Sequence, residues 1–348
     1  MAIEKLTIEA FLQLSKRHPI LDVRSPGEYQ HAHIPGALNL PLFSDEERKI
    51  VGTAYKQQNR QTAIKIGLDF FGVKMRNMLE QAEKLQSNTF LVHCWRGGMR
   101  SEGVSWLLNL YGYQVYNLTG GYKSFRRFAL HRFSLPFNFQ VLGGYTGSGK
   151  TATLKELEKH GASIIDLEEL AHHRGSAFGD LPQVMQPSQE MFENKLAIKL
   201  SRLNFSETTW IEDESQRIGS VNIPQYLWEQ IKRSPLFFLD IPFEQRLERI
   251  LQDYGSADKA SLIQAILRIK KRLGGAEAKA AIQLLTENNL KECFHLLLKY
   301  YDKYYQKAID NWDGKDHRLF KLCFERVEPS ANTQQILIAE KKLNLIYK

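Results

Sequence analysis

Cysteine is scarce in this chain: three in 348 residues, at positions 94, 293 and 323. Sulfurs so widely spaced form neither a disulfide framework nor a clustered-thiolate zinc site, and they suit a reducing compartment. Long apolar runs are missing too. No stretch approaches the roughly 20 residues that a membrane span needs, and Met1-Ala-Ile-Glu-Lys5 lacks the apolar core of a signal peptide. A cytoplasmic chain with no membrane partner is the expectation. No internal repeat and no low-complexity tract occurs, which removes solenoid architectures. Acid is outnumbered, 39 Asp and Glu against 47 Lys and Arg, and the net charge of +8 leaves room for a polyanionic partner. What is present is ordinary globular composition, long enough for two domains with a core each.

The most informative stretch is Phe90-Leu-Val-His-Cys94-Trp-Arg-Gly-Gly-Met-Arg100-Ser101. Phe90, Leu91 and Val92 predict a buried strand, and Val104, Trp106, Leu107, Leu108 and Leu110 predict a helix. Between them lie one cysteine, two glycines and two arginines. A loop of that composition turns backbone N–H groups inward at a helix start, where dipole, donors and Arg100 favour a thiolate or a bound oxyanion. Cys94 therefore reads as a nucleophile or chalcogen carrier, with Arg96 and Arg100 as its cations.

Upstream, Ile20-Leu-Asp-Val23 predicts a strand running into Arg24-Ser-Pro-Gly-Glu28-Tyr29, and His33-Ile-Pro-Gly-Ala-Leu-Asn39 follows. With the cysteine loop, these segments resemble the rhodanese family, whose members carry Asp-Val-Arg-x-x-x-Glu-Tyr, His-Ile-Pro-Gly-Ala-x-Asn and a cysteine loop closing on Arg-Ser. Two departures stand out. Ala32 replaces a common glycine, and Arg100 follows Cys94 by six positions rather than the five usual in single-domain rhodaneses. His-Cys-x5-Arg-Ser is also the signature of cysteine phosphatases, so the loop by itself leaves phosphatase and chalcogen transfer both open. The wider loop fits a tetrahedral oxyanion.

Residues 41–87 form a helical insert, with a capping-box start at Ser44 and Glu47. Its polar piece Gly52–Arg60 either touches a nucleotide or connects helices. After Gly120-Gly121 comes a basic run in which Lys123, Arg126 and Arg127 share a helical face. These three are candidates for contact with a nucleic-acid phosphate backbone, and a boundary is expected after residue 132.

The second domain, 137–348, opens with a strand and Gly144-Tyr-Thr146-Gly147-Ser148-Gly149-Lys150-Thr151, then a helix. This is the phosphate-binding loop in its required context: backbone N–H groups cradle phosphate oxygens, Lys150 adds charge and Thr151 can hold Mg²⁺. The strand ending at Asp166 leads to His172, His173 and Arg174, with His173 and Arg174 expected to meet a diphosphate. Thr208–Ile211 ends in Glu212-Asp213-Glu214, an acidic run expected on the metal side, with Glu212 and Asp213 as the candidates and the choice among them open. From about residue 258 the chain turns helical and basic, and Lys271, Arg272, Lys299 and Lys303, interleaved with tyrosines, are further candidates for RNA contact. The expected fold is α/β: a rhodanese-like domain over 1–132, then a phosphate-loop NTPase-like α/β domain with helical C-terminal additions.

A rhodanese domain fused to a phosphate-loop domain, with Cys94–Ser101, Gly144–Thr151 and His173-Arg-Gly-Ser-Ala-Phe-Gly179, resembles the bacterial tRNA 2-selenouridine synthases over nearly the whole length. The resemblance implies a transferase with tRNA as partner, acting at the wobble uridine of tRNAs for Lys, Glu and Gln. Geranyl diphosphate would first alkylate the 2-thiouridine sulfur at the phosphate loop. Selenium from selenophosphate, passed through a selenide on Cys94, would then replace that sulfur, and an enzyme supplying selenophosphate becomes a further expected partner. An ATP-dependent tRNA sulfurtransferase, a rhodanese-fold cysteine phosphatase and a non-catalytic RNA-binding module are the alternatives.

Overall fold

The computed structural model describes residues 3–173, 185–313 and 319–346. They fall into two compact units, Met1–Phe133 with Ser188–Ser201, and Ser134–Pro187 with Arg202–Lys348. The first unit runs β1 (Glu4–Leu6), α1 (Ile8–Leu14), β2 (Ile20–Asp22), α2 (Pro26–His31), β3 (Leu38–Asn39), α3 (Asp45–Gln57), α4 (Arg60–Gly72), α5 (Met75–Glu83), β4 (Thr89–His93), α6 (Met99–Leu110), β5 (Gln114–Leu118) and α7 (Gly121–Arg132). The chain enters the second unit for β6 (Phe139–Gly144), α8 (Lys150–Lys159), β7 (Ser163–Ile165) and α9 (Leu167–Ala171). It returns to the first as α10 (Gln189–Ser201), an excursion that a linear division at 132–137 misses. The second unit then resumes with β8 (Thr209–Glu212), β9 (Arg217–Ile218), β10 (Val221–Asn222), α11 (Gln225–Arg233), β11 (Leu236–Asp240), α12 (Phe243–Tyr254), α13 (Lys259–Leu273), α14 (Gly275–Thr286), α15 (Leu290–Asp313), β12 (Leu319–Cys323) and α16 (Pro329–Ile346).

In the first unit five parallel strands lie in the order β1-β5-β4-β2-β3. β2 and β4 are buried along most of their length, as parallel strands covered on both faces must be. The expected alternation of strand and helix is present, with sharper boundaries. Ser44 caps α3 through the reciprocal bonds with Glu47. The polar piece 52–60 is mostly helical, leaving only Gln58 and Asn59 between α3 and α4. On α6 the buried positions are Val104, Leu107 and Leu108, while Trp106 and Leu110 face solvent. That is the i, i+3, i+4 stripe of an amphipathic helix rather than a wholly apolar one.

α10 is held into the first unit by a polar cluster on its buried face. The Asn194 amide donates to the His33 carbonyl (2.9 Å) and the Tyr122 hydroxyl (2.8 Å) and accepts from Arg126 (2.6 Å). Tyr122 in turn donates to Glu190 at 2.7 Å. Met191 and Ile198 pack against the buried Phe125 and Phe128 of α7.

The second unit has a parallel sheet ordered β12-β11-β6-β8-β7, with β6 central. Chain order reverses at β6: the next two strands lie on one side of it and the last two on the other. In such a sheet the crevice beyond the carboxyl end of the central strand is the ligand position. α12 to α15 build a separate apolar core around Leu262, Ile266, Phe294 and Leu297. No helix among the described residues is long and apolar enough to cross a membrane.

The least exposed charges in the first unit are Asp22 and Arg24, at 0% and 1%. Arg24 Nε and Nη2 bond the Asp22 carboxylate at 2.9 and 2.5 Å, and Nη2 also donates to the Ala32 carbonyl at 2.8 Å. Burial opposes ionisation of Asp22, but His93 and Arg24 overcome it and hold the carboxyl below its usual range. His93 is itself kept neutral by burial, so at neutral pH Arg24 carries the effect. A depressed carboxylate contributes stability that is complete above the unfolded value and lost as pH falls through the folded one. Arg24→Met should leave a buried unpaired carboxylate and cost about 3–5 kcal/mol. Asp22→Leu with Arg24→Met should recover most of that loss and remove the associated acid sensitivity, as read by chemical unfolding followed on first-unit amides. Equal loss in the single and double variants would refute this account.

Candidate active site

β4 ends at His93, and α6 begins at Met99 with Gly98 as its N-cap, so the loop 94–98 sits at the amino end of a 12-residue helix. Cys94 Sγ lies 3.3 Å from Ser101 Oγ and 3.9 Å from the Gly98 carbonyl, and the residue is only 4% exposed. Burial alone would push the thiol up. Ser101, the Arg100 charge and the backbone at Ser101 and Gly98 outweigh it, so the thiol titrates below its ordinary range. Arg100 itself is bonded to Glu28 at 2.7 Å, with Arg48 3.6 Å from the other Glu28 oxygen. Arg96 is exposed and has no ion-pair partner among the described residues.

The loop is shaped from behind by the turn before α7. The amides of Tyr122 and Lys123 donate to the carbonyls of Cys94 (2.8 Å) and Trp95 (3.0 Å). Gly97 and Gly121 have φ of +66° and +58°, and a Cβ on Gly121 would collide with Cys94 O and Gly97 N. Only glycine allows this approach. Arg24 supports the same corner, its guanidinium 3.9 Å from the Tyr122 ring centroid.

In the second unit β6 runs into the phosphate loop, with Gly147 and Gly149 at φ of +81° and +78°. Lys150 folds back to donate to the Gly144 carbonyl at 3.1 Å. Arg246, 3% exposed on α12, braces the loop: its Nη1 donates to the Thr146 carbonyl at 3.2 Å, and its guanidinium pairs with Asp302 of α15 at 2.7 and 2.8 Å. Thr151 Oγ1 donates to Glu168 at 3.1 Å, and Glu212 accepts from the Glu168 amide at 2.9 Å. Glu168, Glu212 and Glu214 bring carboxylate oxygens within 4.8 Å of one another. Burial raises all three above the usual carboxylate range; repulsion from Glu168 adds to the rise at Glu212 and Glu214, and repulsion from Asp166 at Glu168, while Lys150 opposes it at Glu168 and Glu214. Glu212 Oε2 is buried without a hydrogen-bond partner among the described residues. Crowded hard oxygens beside a phosphate-loop hydroxyl suit a divalent cation. A cavity of about 560 Å³ opens over the loop. Thr146 to Thr151 line one part of it, and Ile250, Tyr254, Tyr301 and Tyr305 contribute another.

A family model described as the tRNA 2-selenouridine synthase AAA domain matches residues 137–334, and a rhodanese-like domain model matches 7–127. The tRNA 2-selenouridine synthase of Serratia proteamaculans is 40% identical over 354 residues, covering 95% of this chain and 89% of that protein. The chain belongs to the tRNA 2-selenouridine synthase family. The synthase of Aeromonas salmonicida is 36% identical over 84% of this chain and 88% of its own length. That of Nitrosomonas europaea is 40% identical over 68% of this chain, and the match spans 63% of that relative, less than two thirds.

Thr146 to Thr151 and His173 line the cavity, together with His172, while Gly144 accepts from Lys150. Arg174 lies outside the described residues, as does the rest of its motif through 179. One metal-side candidate is corrected. Asp213 pairs with Lys232 at 2.7 Å, and Glu214 joins Glu212 instead, because alternate residues leaving a strand point to opposite sides. Among the basic candidates, Arg126 is tied to Glu193 (2.5 Å) and Asn194, a structural role. Lys123, Arg127, Lys271, Arg272, Lys299 and Lys303 are exposed. Three of the interleaved tyrosines are otherwise occupied: Tyr300 and Tyr301 pack on the helical core, and Tyr305 has its ring centroid 5.2 Å from Lys150 Nζ.

Glu28, Ser101, Glu168 and Arg246 have no role assigned from sequence. Arg246 had a visible signal, a cation on the Phe243–Leu247–Ile250 stripe of α12. Alkylation of Cys94 by iodoacetamide, followed by peptide mass, should rise with pH through an inflection below that of an ordinary thiol. Ser101→Ala and Arg100→Ala should each move the inflection upward. An unshifted inflection in both would show that these groups do not stabilise the thiolate.

Proposed function

We propose that this chain converts 2-thiouridine to 2-selenouridine in tRNA in two steps, at the wobble position of tRNAs for Lys, Glu and Gln. The observation that carries this reading is the pairing, in a member of this family, of a thiolate cradle with a phosphate loop whose cavity also has an aromatic and aliphatic wall. Diphosphate suits the Gly147–Thr151 amides and Lys150, and the geranyl chain suits Ile250, Tyr254, Tyr301 and Tyr305. Thr151 with Glu168, Glu212 and Glu214 would hold Mg²⁺, which supplies charge stabilisation for the departing diphosphate. In the first step the S–C bond forms as the geranyl C–O bond breaks. The S-alkyl product carries a far better leaving group than the thiocarbonyl it replaces.

For the second step the Cys94 loop would bind selenophosphate, with Arg100 and Arg96 on its oxygens. Electrons balance most simply if the thiolate attacks phosphorus. The P–Se bond then breaks, selenium leaves as selenide at unchanged oxidation state, and water later releases the phosphoryl group from sulfur. A selenide bonded to the cysteine sulfur itself would require phosphorus to leave reduced, as phosphite, or an additional oxidant. Selenide released beside the geranylated uridine attacks C2 and expels the geranyl thiolate.

Thiolated tRNA incubated with geranyl diphosphate, Mg²⁺ and selenophosphate should yield 2-selenouridine by nucleoside mass analysis. Cys94→Ala should accumulate the geranylated nucleoside and make no selenated one. Lys150→Ala should slow geranylation by about 100-fold or more, the scale seen when one donor to developing charge is removed. Turnover of ATP stimulated by tRNA, with no use of geranyl diphosphate, would instead identify a sulfurtransferase.

A further inference from the structure

The cysteine sulfur is nearly inaccessible, yet three side chains of its own loop are not. Trp95 is 37% and Met99 47% exposed, and Arg96 is exposed. A tryptophan displayed beside a reactive thiol calls for a reason, since burial of so large a ring is ordinarily favourable. Its position is also fixed. The Trp95 carbonyl accepts from the Lys123 amide at 3.0 Å, and its ring lies against Tyr122, with centroids 5.6 Å apart at 41°. The Arg24 guanidinium stands 5.9 Å from its centroid. Tyr122 is in turn locked through its hydroxyl by Asn194 and Glu190. The ring is thus supported from within the unit while a third of its surface stays open.

Three cations come from the same loop or from segments bonded to it. Arg96 is the next residue, and Lys123 heads α7 beside it. The Arg60 guanidinium, from the start of α4, lies 3.9 Å from Met99 Sδ, so the helical insert reaches the rim of the cysteine loop. A rigid aromatic surface near cations that have no ion-pair partner among the described residues is the combination that holds an unpaired nucleotide, the ring taking the base and the cations its phosphates.

We propose that Trp95 is the stacking platform for the target uridine at the Cys94 site, with Met99 and Arg60 flanking the base and Arg96 and Lys123 meeting the adjoining phosphates. This rests on the proposed function and deepens it, because a base stacked on residue 95 would be held by the residue next in sequence to the sulfur-bearing Cys94. It explains why the aromatic residue is in the loop itself rather than on a neighbouring helix.

The test is the affinity of the full chain for a fluorescently labelled anticodon stem-loop carrying 2-thiouridine, measured by anisotropy at fixed salt. Trp95→Ala and Trp95→Leu should each weaken binding roughly 10-fold or more, the scale of one lost base–aromatic stack, and Trp95→Phe should stay close to wild type. Iodoacetamide labelling of Cys94 reports whether each variant keeps the loop intact, and Leu retains apolar bulk should Ala disturb it. Wild-type affinity in either Ala or Leu variant, or a Phe variant as weak as Ala, would overturn the platform. If the wild type binds this RNA through Trp95 but forms no selenated nucleoside, the platform stands and the two-step reaction is what fails.

Discussion

Both units depend on one constraint: a buried central strand must stop, turn within a few residues and present backbone amides at a helix start. β4 into α6 and β6 into α8 are two solutions of that problem. Each needs backbone to approach where a side chain would not fit, and each meets this with glycines in left-handed conformations, at 97 and 121 in one and at 147 and 149 in the other. The contacts that fix these loops come from outside the motifs. Tyr122 and Lys123 amides hold the carbonyls of the cysteine loop, while Arg246 holds a carbonyl of the phosphate loop. Side-chain chemistry at Cys94 or Lys150 follows from this placement, because helix dipole and amides act only over the first turn.

The two buried arginines do comparable work in different ways. Arg24 is neutralised by Asp22 and lies under Tyr122, so it stiffens the floor of the cysteine loop without projecting charge. Arg246, paired with Asp302, ties α12 and α15 to the phosphate loop, so the helical additions shape the cavity rather than decorating the domain. Both pairs are sensitive to loss of one partner, since a charge left alone in the interior has no water to replace it.

Much of this was legible in sequence because motif chemistry is local. Strand, glycine loop and helix in 90–110 and 139–159 follow from a change of apolar period and from the glycines. The capping box at Ser44 and Glu47 was equally readable. What could not be read depends on topology. Nothing in the run 189–201 says that it packs on α7 with Asn194 against Tyr122, since its partners are about seventy residues away or more. The same gap explains Arg126, which looks like a phosphate contact until Glu193 stands beside it. Choosing between Asp213 and Glu214 required the side on which each leaves the strand, and a shift of one residue at the strand end reverses that choice.

Each cradle already contains carboxylates, and these sort the two anions of the proposed reaction. At the cysteine loop one group, Glu28, satisfies Arg100. An incoming tetrahedral anion can take over that arginine by exchanging one carboxylate for one oxyanion, with backbone amides unaffected. At the phosphate loop three crowded carboxyl groups face Lys150, and burial and repulsion hold them toward the protonated form. In the proposed reaction a divalent cation arriving with the diphosphate would draw them into the ionised, coordinating form. On that reading the cysteine loop would suit a small anion without metal, and the phosphate loop a diphosphate that arrives with one. Selection between two phosphorus-containing substrates then rests on the number of carboxylates near each cation, a property that Glu168 and Glu214 set and that the glycine motifs by themselves do not contain.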